Sequence, residues 1–139
     1  MFRQVIYTSQ EVDGLSEDDR QDILRVSRIN NVRDDVTGFL ISTPNGTFVQ
    51  TIEGSEEGVA RVLDRIRKDP RHSSMTIILD HEIPARDFPD WRMGYRSVRR
   101  EDLRQYPEFR DLADPDFATN FDSAAIAMSI MKALYTGNR

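Results

Sequence analysis

The chain has no cysteine. That removes disulfides, thiolate metal sites and cysteine nucleophiles together, and it suits a reducing compartment. Histidine is nearly as scarce: His72 and His81 are the two copies, and neither sits with carboxylates at metal-ligand spacing. No stretch approaches 18 apolar residues, and no charged then apolar leader opens the chain, so a soluble, cytoplasmic protein without a membrane role is expected. Positive charge is in deficit, with 19 Lys and Arg against 24 Asp and Glu and a net charge of −5. A general nucleic-acid binder needs a clustered basic surface, so direct nucleic-acid binding is not expected. Gly-rich phosphate loops, nucleophile elbows and zinc motifs are missing.

What remains is one domain's worth of chain, 139 residues, large enough for a real core and one enclosed ligand. FRQVIYTS (residues 2–9) reads as a strand. Ser16 is a natural N-cap, with Glu17, Asp18 and Asp19 where a helix dipole favours anions, and the helix is expected to run to about Asn31. Residues 36–42 and 47–53 form two strands around Pro44-Asn45-Gly46, a strong hairpin signal. Ser55 caps a second helix in which Val59, Val62, Leu63 and Ile66 make one apolar stripe that Pro70 terminates. Residues 75–80 are a fourth strand and residues 91–96 a fifth. The order β-α-β-β-α-β(β) predicts an α+β, ferredoxin-like sandwich with two helices on one sheet face.

Residues 98–139 form a separate helical extension to a core spanning 1–97. Asp122 or Ser123 would cap its last helix, in which Ile126, Ile130 and Ala133 share a face that Met128, Met131 and Leu134 widen. A helix this apolar must be covered. The sheet face away from the first two helices is the favoured place, with part of it left for assembly, and homo-oligomers are expected.

Several polar side chains occupy positions where core residues belong. At 100° per residue, Ile23, Leu24 and Val26 share an arc of the first helix with Ser27, Asn30 and Asn31, while Arg25 and Arg28 point away. Strand alternation puts Phe48, Gln50 and Ile52 on one face, and Val5, Tyr7 and Ser9 on one face of the first strand. Singly these have plain explanations: an Asn pair as a C-cap, a core Tyr bonded to backbone, an edge Gln. A buried amide without a partner costs roughly 1–3 kcal/mol, so several around one core point to a polar ligand between them.

IYTS, SRINN, TGFL, FVQTIEG, DPRH and FPDWRMG occur in this order across residues 2–97. In sequence and spacing they resemble the BLUF domains, blue-light receptors that use flavin. The resemblance implies noncovalent FAD between the two helices, with FMN or riboflavin tolerated because the contacts are to the ring. Without cysteine, sensing through a flavin–cysteine adduct is excluded. Carried over by position, Tyr7 is the electron and proton donor and Gln50 bridges it to the flavin edge. Asn31 bonds the pyrimidine side, supported by Asn30. Ile23 and Ile66 sandwich the ring, with Ser27 and Phe48 beside them. Arg65, Arg71 and His72 lie toward the diphosphate. Trp91 and Met93, read as sharing a face of the last strand, form the element that can exchange partners near Gln50.

The implied function is a non-enzymatic blue-light photoreceptor whose output passes to a separate effector protein. A small oxygenase or flavin oxidoreductase on the same fold, or a colourless interaction module, are the alternatives, since fold alone does not decide function.

Overall fold

A computed structural model of the protein describes residues 1–12, 14–43, 46–70, 72–98 and 127–132. In chain order the elements are β1 (Phe2–Glu11), α1 (Glu17–Asp34), β2 (Thr37–Ser42), β3 (Thr47–Gly54), α2 (Glu56–Lys68), β4 (His72–Ile83) and β5 (Gly94–Ser97). A short helix, α3, follows at residues 127–132. The sheet order is β4-β1-β3-β2-β5, antiparallel except that β5 runs parallel to β2. This is the ferredoxin-like arrangement expected from the sequence.

Local chemistry starts both long helices. The Ser16 hydroxyl accepts from Asp19 N at 3.1 Å and the Asp19 carboxylate accepts from Ser16 N at 3.0 Å, a reciprocal capping box. Ser55 caps α2 by accepting from Gly58 N. The end of α1 differs from expectation: it runs on to Asp34 instead of stopping near Asn31. The left-handed residue is Asp35, at φ 53°, and Arg86 and Arg92 hold its carboxylate at 3.2 and 3.0 Å. Asn31 is thereby released from capping and stays inside the helix. Of the hairpin turn, Pro44 and Asn45 lie outside the described residues, and Gly46 takes the positive φ of 81°.

The sheet separates two apolar cores. Val5, Tyr7, Leu40, Phe48 and Ile52 face α1 and α2, meeting Leu24, Val59, Val62 and Leu63. Ile6, Phe39, Ile41 and Val49 face the other way, where Ala127, Ile130 and Met131 of α3 cover them. The C-terminal helix therefore lies on the favoured sheet face. Its proposed caps Asp122 and Ser123, together with Ile126, Ala133 and Leu134, lie outside the described residues.

Four readings need correction. β4 extends well beyond residues 75–80 at both ends. β5 starts at Gly94, not Trp91, because α1 captures the preceding carbonyls: Asn31 Nδ2 donates to Arg92 O at 2.6 Å and Arg28 Nε to Met93 O at 3.0 Å. Arg28, expected to point away, is exposed but turns its Nε back onto that carbonyl. Val26, assigned to the buried arc, is 36% exposed, so the packed face of α1 is narrower than its sequence suggested.

Gly38 shows how tightly β2 and β3 meet. A Cβ there would run into the carbonyl oxygen of Thr51. Gly38→Ala should cost about 1–3 kcal/mol, read as a lowered urea midpoint with an unchanged slope.

Candidate functional site

Tyr7 on β1 and Gln50 on β3 are direct cross-strand partners, and both side chains project toward the helices. The Tyr7 hydroxyl donates to Gln50 Oε1, and Gln50 Nε2 donates to Met93 Sδ at 3.1 Å. Tyr7 is 2% exposed and Gln50 7%. Burial pushes the Tyr7 phenol well above its ordinary pKa, and the charge of Asp69 adds to the effect. The amide is asymmetrically satisfied. Its carbonyl has a phenol, while its NH2 group has a thioether, a weak acceptor.

These groups line a cavity between the sheet and the two helices. Ile23 and Ser27 of α1 face Ile66 of α2 across it, with Ser9, Leu40, Phe48, Asp69 and Met93 closing the sides. Two isoleucines from opposing helices and a polar strip at the sheet end suit a flat aromatic ring with hydrogen-bonding edges. The cavity measures about 50 Å³, whereas ligand pockets run to roughly 300–1,000 Å³. A tricyclic ring needs more room than this. Among the described residues α1 has Leu24 as its one fully buried apolar side chain, which makes it the weaker wall.

The C-terminal end of α1 is by contrast firmly held. Asp34, 6% exposed, meets Arg61 Nε at 3.0 Å and Arg65 Nη2 at 2.6 Å from α2. Gly58 lets the helices close up, since a Cβ there would lie 2.6 Å from Asp34 O. Burial opposes ionisation of Asp34, but the bonds from Arg65 and Arg61 outweigh it and hold the carboxyl below its ordinary pKa.

Most sequence-derived candidates converge here: Tyr7, Ile23, Ser27, Phe48, Gln50, Ile66 and Met93 line the cavity. Asn31 is buried but does not line the cavity, its NH2 group committed to Arg92 O, and half-buried Asn30 accepts from Arg33. Arg65 is engaged by Asp34 at the clamp. Arg71 and the side chain of His72 lie outside the described residues. Trp91 does not share a face with Met93. It stacks on Phe39 across the sheet, with centroids 5.3 Å apart at 26°, while Met93 joins the helix-side core. The strand period does not apply before Gly94, whose missing Cβ lets the Trp91 ring fold over it.

Ser9, Leu40 and Asp69 were not among the candidates, although alternation puts Ser9 on the face of Tyr7. Leu40 follows from alternation along TGFL, since it pairs directly with Gln50. Asp69, just past α2, carried no signal beyond its place in DPRH.

Residues 2–94 match the family model described as sensors of blue-light using FAD. The chain belongs to the BLUF family. It is 31% identical to the beta subunit of a photoactivated adenylate cyclase from Euglena gracilis over 95% of this chain, which amounts to 15% of that much longer relative. It is 30% identical to the blue light- and temperature-regulated antirepressor BluF of Escherichia coli K12, over 91% of this chain and 31% of that one. Among solved structures, the dark-state BLUF protein BlrB superposes with a TM-score of 0.74 at 33% identity, covering 96% of this chain and 97% of that one. Among the described residues of this BLUF domain, no helix is long and apolar enough to cross a membrane.

Asp34→Asn should remove the α1–α2 clamp and lower stability by roughly 1–2 kcal/mol at neutral pH, a modest figure because both arginines are partly solvated. A carboxyl whose folded pKa is depressed stabilises above its unfolded value, so the difference from wild type should shrink as the pH falls below about 4. Urea unfolding at pH 7 and pH 3 measures both.

Proposed function

We propose that this chain is a light sensor that binds FAD noncovalently in the cleft between α1 and α2 and reports blue light by redirecting the amide of Gln50. The observation that carries this reading is the chain Tyr7 hydroxyl, Gln50 carbonyl, Gln50 NH2, Met93 thioether at the cleft wall. Ile23 and Ile66 would cover the two ring faces, Gln50 and Asn31 would serve its polar edge, and Ser27, Asn30 and Phe48 would line it. Arg65, Arg71 and His72 would lie toward the diphosphate. FMN and riboflavin would fit the same ring contacts.

Bound flavin, once excited by blue light, supplies a strong one-electron oxidant in the cleft. Tyr7 is the buried phenol beside it, and the raised pKa keeps that phenol protonated and inert in darkness. Losing an electron acidifies a phenol sharply, and its proton already has an exit along the bond to Gln50. Return of electron and proton restores Tyr7 unchanged. The amide need not return with it, because its two ends are interchangeable in shape and opposite in hydrogen-bonding role. The Met93 contact is too weak to hold the original orientation against a better acceptor. Segment 84–93, which carries Trp91 and Met93, is the element that follows Gln50.

The chain itself performs no turnover in this reading, and its output is control of a separate effector protein. A homo-oligomer and a cytoplasmic location go with it. Gln50→Leu should still bind FAD and stay yellow but lose the small, reversible red shift seen after a blue flash. Tyr7→Phe should lose the shift as well. A normal shift in Gln50→Leu would overturn the assignment.

A further inference from the structure

Glu53 is a buried carboxylate that the cleft does not use. It sits on β3 three residues beyond Gln50 but on the opposite sheet face, and it is 0% exposed. Its oxygens accept from Asp87 N at 2.9 Å, Phe88 N at 2.7 Å and Gln4 Nε2 at 2.8 Å. The same Gln4 NH2 group donates to Asp87 Oδ2 at 2.7 Å, which turns the Gln4 carbonyl toward His81 Nε2, 2.6 Å away. That ring nitrogen therefore carries a proton. All three groups on Glu53 are donors, so its ionised form is the one that fits. Burial, with the charge of Asp87, leaves its pKa above the ordinary value, and these bonds offset part of that rise.

The two backbone donors belong to the segment that ends at Met93. Phe88 and Trp91 both lie on Phe39, with Phe88 5.9 Å from it. At the far end Asn31 and Arg28 of α1 hold the carbonyls of Arg92 and Met93. The segment is thus slung between a carboxylate on one sheet face and a helix on the other. Asp87 continues the network to Lys132 of α3, at 3.5 Å.

We propose that Glu53 is a positioning residue that anchors segment 87–93 and so sets which side chain, Met93 or Trp91, meets Gln50. The role in light sensing rests on the function proposed above, whereas the anchoring does not. Backbone N–H groups bonded to an ionised acceptor are held strongly, so the Asp87 and Phe88 amides should exchange as slowly as those of the β-strands although they lie outside any strand.

The test is Glu53→Gln, which keeps the shape but cannot accept from every donor. Amide exchange at Asp87 and Phe88 should accelerate about tenfold or more. Fluorescence of Trp91, the single tryptophan, should become more accessible to acrylamide, and dark recovery of the light-induced shift should change severalfold with the dark spectrum retained. Thr51→Val, which loses a 2.9 Å contact to Met131 on the same face without touching the segment, should leave all three unchanged. Unaltered exchange and Trp91 accessibility in folded Glu53→Gln would overturn the anchor. If that variant does not fold, fast exchange of the two amides in wild type would do so. A wild type without any light-induced shift would instead count against the proposed function, leaving exchange and fluorescence to decide the anchor.

Discussion

The cross-strand pair of Tyr7 and Gln50 is the constraint to which the rest of the molecule answers. Antiparallel pairing of β1 with β3 puts the two residues opposite one another, and the pleat turns both toward the helices. A phenol and an amide are thereby placed among Val5, Phe48 and Ile52, where an unmet hydrogen bond costs about 1–3 kcal/mol. The phenol satisfies one end of the amide and a thioether half-satisfies the other. An apolar pair would pack at least as well, so stability alone gives no reason for this arrangement. It makes sense as a stored asymmetry, ready for a stronger partner.

The two helices flank this pair unequally. α2 packs through Val59, Val62 and Leu63, all buried, whereas α1 buries Leu24 and otherwise presents half-covered Ile23 and Ser27. Exposed Ile29 and Val32 confirm how little of α1 is core. Its C-terminal end is nevertheless fixed, through Asp34 to α2 and through Asp35 to Arg86 and Arg92. α1 is thus pinned at one end and lightly packed along its length. Of the two cleft walls it has the fewer buried contacts.

Much of this was legible in the sequence because it follows from short-range rules. Ser16 and Ser55 announced their caps, the stripe from Val59 to Ile66 announced its buried side, and alternation put Tyr7 and Gln50 on helix-facing sides of their strands. The late start of β5 has one cause. Side chains distant in sequence took over backbone groups that local rules would have assigned to a strand. Asn31 and Arg28 capture the carbonyls of Arg92 and Met93, so β5 starts late and Trp91 and Met93 part to opposite faces. Arg65, carried over toward the diphosphate, also holds Asp34, a partner that the length of α1 brings to it. Nothing local in FVQTIEG signals that the segment after β4 folds over Glu53.

A crystal structure of the chain with FAD, grown in darkness, tests the central claim most directly. The account predicts the ring system between Ile23 and Ile66, with the amide of Gln50 bonded to both Tyr7 and the ring's polar edge, and α1 displaced outward about its pinned end. FAD bound elsewhere on the chain, with the Tyr7–Gln50–Met93 cleft still closed, would contradict it.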